Sequence, residues 1–235
     1  PHLVLNVVAD ACGVDQRLDL DLLEGETVES GQVIAPQAWQ DLLMDRVEAT
    51  PQGGPPERVG RSARAIFPGA FNPMHQGHRE MVRIAQEVCG LAVEYEISIV
   101  NVDKPPLDYY EIKRRTDQFT PDDTVWLTRA ATFVEKSELF AGATFLVGAD
   151  TLRRIADPRY YAGDCAACRA ALEQIARRGC HFLVFGRNLG TGFVRLADLD
   201  LPDVLRSICR EIPVDQFRED VSSTALRRAR QAESP

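Results

Sequence analysis

The sequence predicts an α/β protein, a doubly wound parallel sheet with a short N-terminal appendage. Three observations predict it. From residue 63 onward, short apolar runs of strand length alternate with helical patterns, the rhythm of βαβ units in a sheet covered on both faces. The chain has 235 residues, 45% of them hydrophobic and 26% charged, enough for one large domain with a real core. Residues 51–60, PQGGPPERVG, pile up Gly and Pro and read as a linker, so the expected division is an appendage over 1–60 and a body over 61–235.

In the appendage, HLVLNVVADACG (2–13) has the apolar density of a helix ending at Gly13. An acidic, turn-rich stretch follows, then APQAWQDLLMDRV, a short helix. In the body, ARAIF (63–67) is a strand, and Met81, Val82, Ile84, Ala85 and Val88 share one face of the helix after it. EYEISIV (94–100) reads as a strand, LDYYEIKRRTDQF (107–119) as a helix and VWLTR (125–129) as a short strand before a helical ATFVEKSELF. ATFLVG (143–148) is a strand, CAACRAALEQIARR (165–178) a helix, HFLVFG (181–186) a buried strand and EIPV (211–214) a last short one. SSTALRRARQ (222–231) closes as a helix.

The formal net charge is −8, and it is unevenly placed. Residues 1–60 hold three Arg against eleven acids, while the remainder balances 24 basic against 24 acidic residues. No basic surplus exists to neutralise nucleic-acid phosphates, so nucleic acid is disfavoured as a partner. No run of about 18 apolar residues is present, so no membrane span is predicted. Cys165 and Cys168 form a C-x-x-C, but it opens an amphipathic helix in which Cys serves as a small apolar residue, and no metal site is predicted. With no signal peptide visible, reduced thiols in a cytoplasm are the default expectation. The chain starts at Pro1 rather than Met. The acidic segment is too short and too polar for a robust domain alone, and reads as the tail of an upstream domain or as an arm packed on the body.

In parallel sheets of this kind, ligands bind beyond the carboxyl ends of the strands, and three strand ends bear unusual residues. FPGAFNPMHQGHRE (67–80) lies between a strand and a helix. Its Gly69 and Gly77 allow sharp turns and close approach. His75 and His78, three apart, share a face of the first helical turn. Free N–H groups, the positive helix end and two imidazoles together suit a polyphosphate. VSSTALRR (221–228) puts Ser222, Ser223, Thr224 and Arg227 at a helix start, which caps the helix and also forms an anion cradle. FLVGADTLRRI (145–155) ends a strand at Gly148, and Asp150 is placed to accept from ribose hydroxyls or an adenine amino group, or to cap the next helix.

GAFNPMHQGH resembles the G-x-F-x-P-x-H-x-G-H signature of the nucleotidylyltransferase superfamily, and VSSTALR is similar to its second signature, I-S-S-T-x-I-R. The two lie a full doubly wound domain apart, and the resemblance covers about residues 63 to 231. It implies the Rossmann-like fold of that superfamily. Within it, VGADTL resembles the G-x-D-x-L of nicotinate and nicotinamide mononucleotide adenylyltransferases, FGRN (185–188) sits where those enzymes place an Arg after a strand, and NVDKPPL (101–107) where they hold the mononucleotide. LVLN (3–6) is similar to the end of a CinA-like nicotinamide-nucleotide amidase domain. Ala70 departs from the Ser or Thr often found at its position.

The resemblance implies transfer of AMP from ATP, carried with Mg²⁺, to a phosphate-bearing acceptor with release of pyrophosphate. Nicotinate or nicotinamide mononucleotide, and so NAD biosynthesis, is the expected acceptor. His78 would contact the α-phosphate and His75 its neighbours, within a loop formed by Gly69, Ala70, Phe71 and Gly77. Ser222, Ser223, Thr224 and Arg227 would hold the β- and γ-phosphates, and Gly148 and Asp150 would border the adenosine. Lys104 and Arg115 are candidates for the acceptor's phosphate, with solvated surface charge as the other reading. Adenylyl or cytidylyl transfer to phosphopantetheine or an alcohol phosphate, and a non-catalytic nucleotide-binding module, stay open as alternatives. The oligomeric state is also open, a homo-oligomer included.

Overall fold

The computed structural model describes residues 1–29, 31, 33–54, 63–102, 105–188 and 192–217. Two compact units make up the chain, Pro1–Ile34 and Ala35–Pro235. The first contains helix α1 (His2–Ala11), none of whose residues is buried. It ends where Gly13 takes a left-handed φ of 69°. Asn6 then holds the returning chain with two side-chain hydrogen bonds to the backbone of Leu18, both at 2.8 Å.

The second unit carries a seven-stranded sheet. Its elements in chain order are α2 (Gln37–Leu43), β1 (Ala49–Gln52), β2 (Ala65–Pro68), α3 (Gln76–Cys89), β3 (Val93–Ser98), α4 (Tyr109–Thr116), β4 (Val125–Thr128) and α5 (Phe133–Leu139). There follow β5 (Thr144–Gly148), α6 (Ala149–Ile155), α7 (Cys165–Arg177), β6 (His181–Phe185), the two-residue strands β7 (Arg187–Asn188) and β8 (Phe193–Val194), α8 (Asp203–Arg206) and β9 (Cys209–Ile212). Strands lie in the order β1-β4-β3-β2-β5-β6-β9. All neighbours are parallel except β1, which pairs antiparallel with β4. The six parallel strands thus run 3-2-1-4-5-6, the doubly wound order, with its reversal between β2 and β5.

Strand alternation builds two cores. Ala65 and Phe67 of β2, Leu146 of β5 and Leu183 and Phe185 of β6 face a cluster with Met81, Ile84 and Ile112 from α3 and α4. Ile66, Phe145, Val147, Phe182 and Val184 face the other way, against Leu152, Leu172 and Ile175 of α6 and α7. The helices start on side-chain caps where the sequence supplies them. Asp108 accepts from the Glu111 N–H at 2.8 Å, Thr132 and Glu135 form a reciprocal box, and Asp164 accepts from Ala166 and Ala167.

The expected break at residue 60 differs from this arrangement. The sheet-bearing unit begins at Ala35. Trp39 and Leu42 are buried in its first core, and Ala49–Gln52 is a strand of the sheet. Pro51 in that strand made it look like linker, yet an edge strand tolerates a missing N–H. Residues 55–60 of the expected linker, and the expected helix at 222–231, lie outside the described residues. Among the described residues, no helix is long and apolar enough to cross a membrane.

Candidate active site

The loop leaving β2 crosses the sheet at the reversal of strand order, where carboxyl ends of neighbouring strands diverge and leave a crevice. Its first residue, Gly69, donates its N–H to the Glu96 carbonyl at 2.9 Å. A Cβ there would meet the Phe71 ring at 2.7 Å, so only glycine lets that ring fold back beneath the loop. Phe71 itself adopts a left-handed φ of 41°, and the Asn72–Pro73 peptide is cis. The side chain of Gln118 closes the turn: its Nε2 donates to the Phe71 carbonyl at 2.7 Å, and its Oε1 accepts from the Met74 N–H at 2.8 Å.

His75 is the N-cap of α3 and His78 the third residue inside it. Their rings stack, centroids 3.7 Å apart and 26° from coplanar. The His75 backbone N–H donates to Nδ1 of His78 at 3.2 Å. Burial, then His75, then Arg187 push the His78 pKa down to about 3, so its imidazole is neutral at physiological pH. With Nδ1 accepting, the ring proton sits on Nε2, which is left as a donor. The site therefore presents a neutral N–H donor at a helix N-terminus, where the dipole already favours negative charge.

The neighbouring strand ends supply the other groups. β5 ends at Gly148, and Asp150 is in the first turn of α6. Arg187, just past β6, brings Nε to 3.5 Å from Asp150 Oδ1. A Cβ at Gly148 would stand 2.6 Å from that Oδ1 and 3.0 Å from that Nε. Glycine is what lets the two charged groups meet over the strand end.

The structure thus brings Gly69, His75, Gly77, His78, Gly148 and Asp150 to the ends of adjacent strands. Ala70 is exposed in the same loop. Phe71, expected among the nucleotide-binding residues, turns its side chain inward. It is 1% exposed, its ring set edge-on against Phe67, Tyr95, Phe119 and His78, so it supports the loop from below. Arg115 is also largely buried on α4, with Nη2 on Glu111 of the same helix at 3.0 Å and Nε making no hydrogen bond. Lys104, Ser222, Ser223, Thr224 and Arg227 lie outside the described residues.

Two residues were not among the expected set. Arg187 had a signal in the strand-plus-Arg string FGRN. Gln118 had none, because its partners are 44 and 47 residues away in sequence. Cys165 and Cys168 occupy the first turn of α7, with Cys168 buried and its thiol pushed up chiefly by that burial.

Compared with known families, residues 66–229 match the cytidylyltransferase-like family, well over half of the chain. Compared with curated proteins, the chain matches none.

Proposed function

From the premise that the chain belongs to the cytidylyltransferase-like family, and so to a group of nucleotidyltransferases, we propose that it moves AMP from ATP to the phosphate of nicotinate or nicotinamide mononucleotide. The observation that carries this reading is the buried, neutral His78, its Nε2–H left as a donor beside the stacked ring of His75 at the start of α3. A phosphate oxygen of the acceptor attacks the α-phosphorus in line. A new P–O bond forms there, the bond to the bridging α,β-oxygen breaks, and pyrophosphate leaves with that electron pair. The nucleophile is already ionised, so no strong general base is needed.

Catalysis then rests on positioning and on stabilising charge that grows on the α-phosphoryl oxygens. His78 donates to one of those oxygens without carrying a charge that would have to be desolvated, and the N–H groups of the first turn of α3 face the same anion. His75 contacts the neighbouring phosphate. Ser222, Ser223, Thr224 and Arg227, by their likeness to the second family signature, hold the leaving β- and γ-phosphates. Asp150, tethered by Arg187, borders the adenosine together with Gly148. Lys104 and Arg115 are assigned to the acceptor's phosphate. Mg²⁺ enters as part of the nucleotide substrate, held by the phosphates themselves.

The test is pyrophosphate release from ATP or CTP with Mg²⁺, against nicotinate mononucleotide, nicotinamide mononucleotide, phosphopantetheine and an alcohol phosphate. ATP with a pyridine mononucleotide should be the productive pair, and His78→Ala should slow it by roughly 10²–10³. Turnover with another pair moves the substrate assignment. An unchanged rate in His78→Ala removes the role given to that residue. ATP binding without pyrophosphate from any pair would make the protein a nucleotide-binding module.

A further inference from the structure

We propose that Gln118 is a positioning residue whose carboxamide fixes the loop presenting His75 and His78, and that through it the phosphate loop and the helix bearing Arg115 are held in one register. The proposal rests on the nucleotidyl-transfer reading for its consequence, though not for its geometry. The Phe71 carbonyl and the Met74 N–H are residues i and i+3 of the turn through Asn72 and Pro73. Those are the two groups that close a β-turn by bonding to each other. Here the Gln118 amide is inserted between them, donating to one at 2.7 Å and accepting from the other at 2.8 Å. The turn is splinted open from outside.

A primary carboxamide is suited to this, because it carries a donor and an acceptor side by side. The splint is itself anchored. Gln118 Nε2 also donates to the Arg115 carbonyl at 3.2 Å. The next residue, Phe119, sets its ring edge-on against Phe71, centroids 5.5 Å apart, and against Tyr95 at 4.7 Å. The turn following α4 thus grips the loop by backbone and by side chain, while α4 itself carries Arg115. Met74 is followed directly by His75, so any slip of the Met74 amide is passed to the N-cap of α3 and to its hydrogen bond with His78. Ground-state binding of a flexible polyphosphate tolerates a small slip. In-line alignment does not, a misplacement of about 1 Å costing on the order of 10² in rate.

The experiment compares wild type, Gln118→Leu and Gln118→Glu in the pyrophosphate assay, alongside amide hydrogen exchange in the ligand-free protein. Gln118→Leu should lower kcat by about 10²-fold, with the nucleotide KM changed by no more than about threefold. Gln118→Glu supplies a readout that general destabilisation would not move. Its carboxyl, when protonated, donates to the Phe71 carbonyl, and when ionised repels it. Its kcat relative to wild type should therefore rise as pH falls from 7 toward the ordinary glutamate range, about 4.5. The Met74 and His75 amides should exchange faster in Gln118→Leu, a measurement that needs no turnover. Were the wild type inactive with every substrate pair, the function assigned above would fail while the exchange data still judged Gln118. Wild-type kcat in Gln118→Leu, a Gln118→Glu ratio flat with pH, or unchanged exchange at Met74 and His75 would overturn the proposal.

Discussion

At the scale of single residues, His78 shows how one buried ring is set to a task. An exposed imidazole titrates near 6.5, and burial, then His75, then Arg187 take His78 to about 3. Between those values the unfolded chain binds a proton that the folded chain refuses. Stability must then rise with pH across that window, complete above about 6.5 and lost progressively as pH falls toward 3. At pH 5 the loss attributable to His78 amounts to about 2 kcal/mol relative to pH 8. Urea unfolding of wild type and His78→Asn at both pH values checks it, because the variant should lack that share of the pH dependence. Parallel curves would mean that His78 is not held neutral. The same ring shows what sequence can convey. Two histidines three apart between a strand and a helix predict a shared first turn, and they share that of α3, because local spacing and helix geometry decide their placement. The direction of the Phe71 ring, in the same string, is not legible there, since it depends on Tyr95 and Phe119, which are remote in sequence.

At the scale of elements, the layer between β3, β4 and α5 is polar where a core is expected. Val93, Tyr95 and Ile97 of β3 enter the first core, while Glu94 and Glu96 point to the opposite face and are also buried. Glu94 accepts from Arg64 at 3.0 Å and from Trp126 Nε1 at 2.6 Å. Glu96 accepts from Thr128 at 2.5 Å and from Lys136 at 2.8 Å, and Lys136 also donates to the Ala130 carbonyl at 2.7 Å. Removing one partner of such a pair leaves a buried charge uncompensated, whereas replacing both by apolar groups need not. Lys136→Met should therefore cost about 3–5 kcal/mol in urea or thermal unfolding, and adding Glu96→Leu should recover much of it. A double variant no more stable than Lys136→Met would show that the pair is not coupled. This layer explains which elements could be read from sequence. β5, β6 and α7 were legible because their apolar residues alone carry the period, with both strands buried on both faces. β1 was not, because Pro51 and the glycines after it carry the marks of a linker, and its strand character comes wholly from pairing with β4.

At the scale of the whole molecule, the net charge of −8 separates along with the two compact units. Residues 1–34 hold seven carboxylates against the single Arg17, and helix α1 buries none of its residues. The acidity that colours the composition thus belongs mostly to the first unit, and the sheet-bearing unit is left near neutrality. The boundary at Ala35 has a consequence that a boundary at residue 60 would not. A chain beginning at Ala35 should unfold cooperatively with the midpoint of the full chain, since it keeps α2, β1 and both hydrophobic clusters. Beginning instead at Arg61 removes Trp39 and Leu42, 8% and 0% exposed, at about 1.5–3 kcal/mol for each buried side chain. It also strips β1 from β4 and turns a paired strand into an open edge, a site for association with other chains. Calorimetry and light scattering on the two truncations separate these cases. The shorter chain should melt earlier and associate, and the longer one should do neither. Equal behaviour of both would place the true boundary at the Gly- and Pro-rich stretch after all.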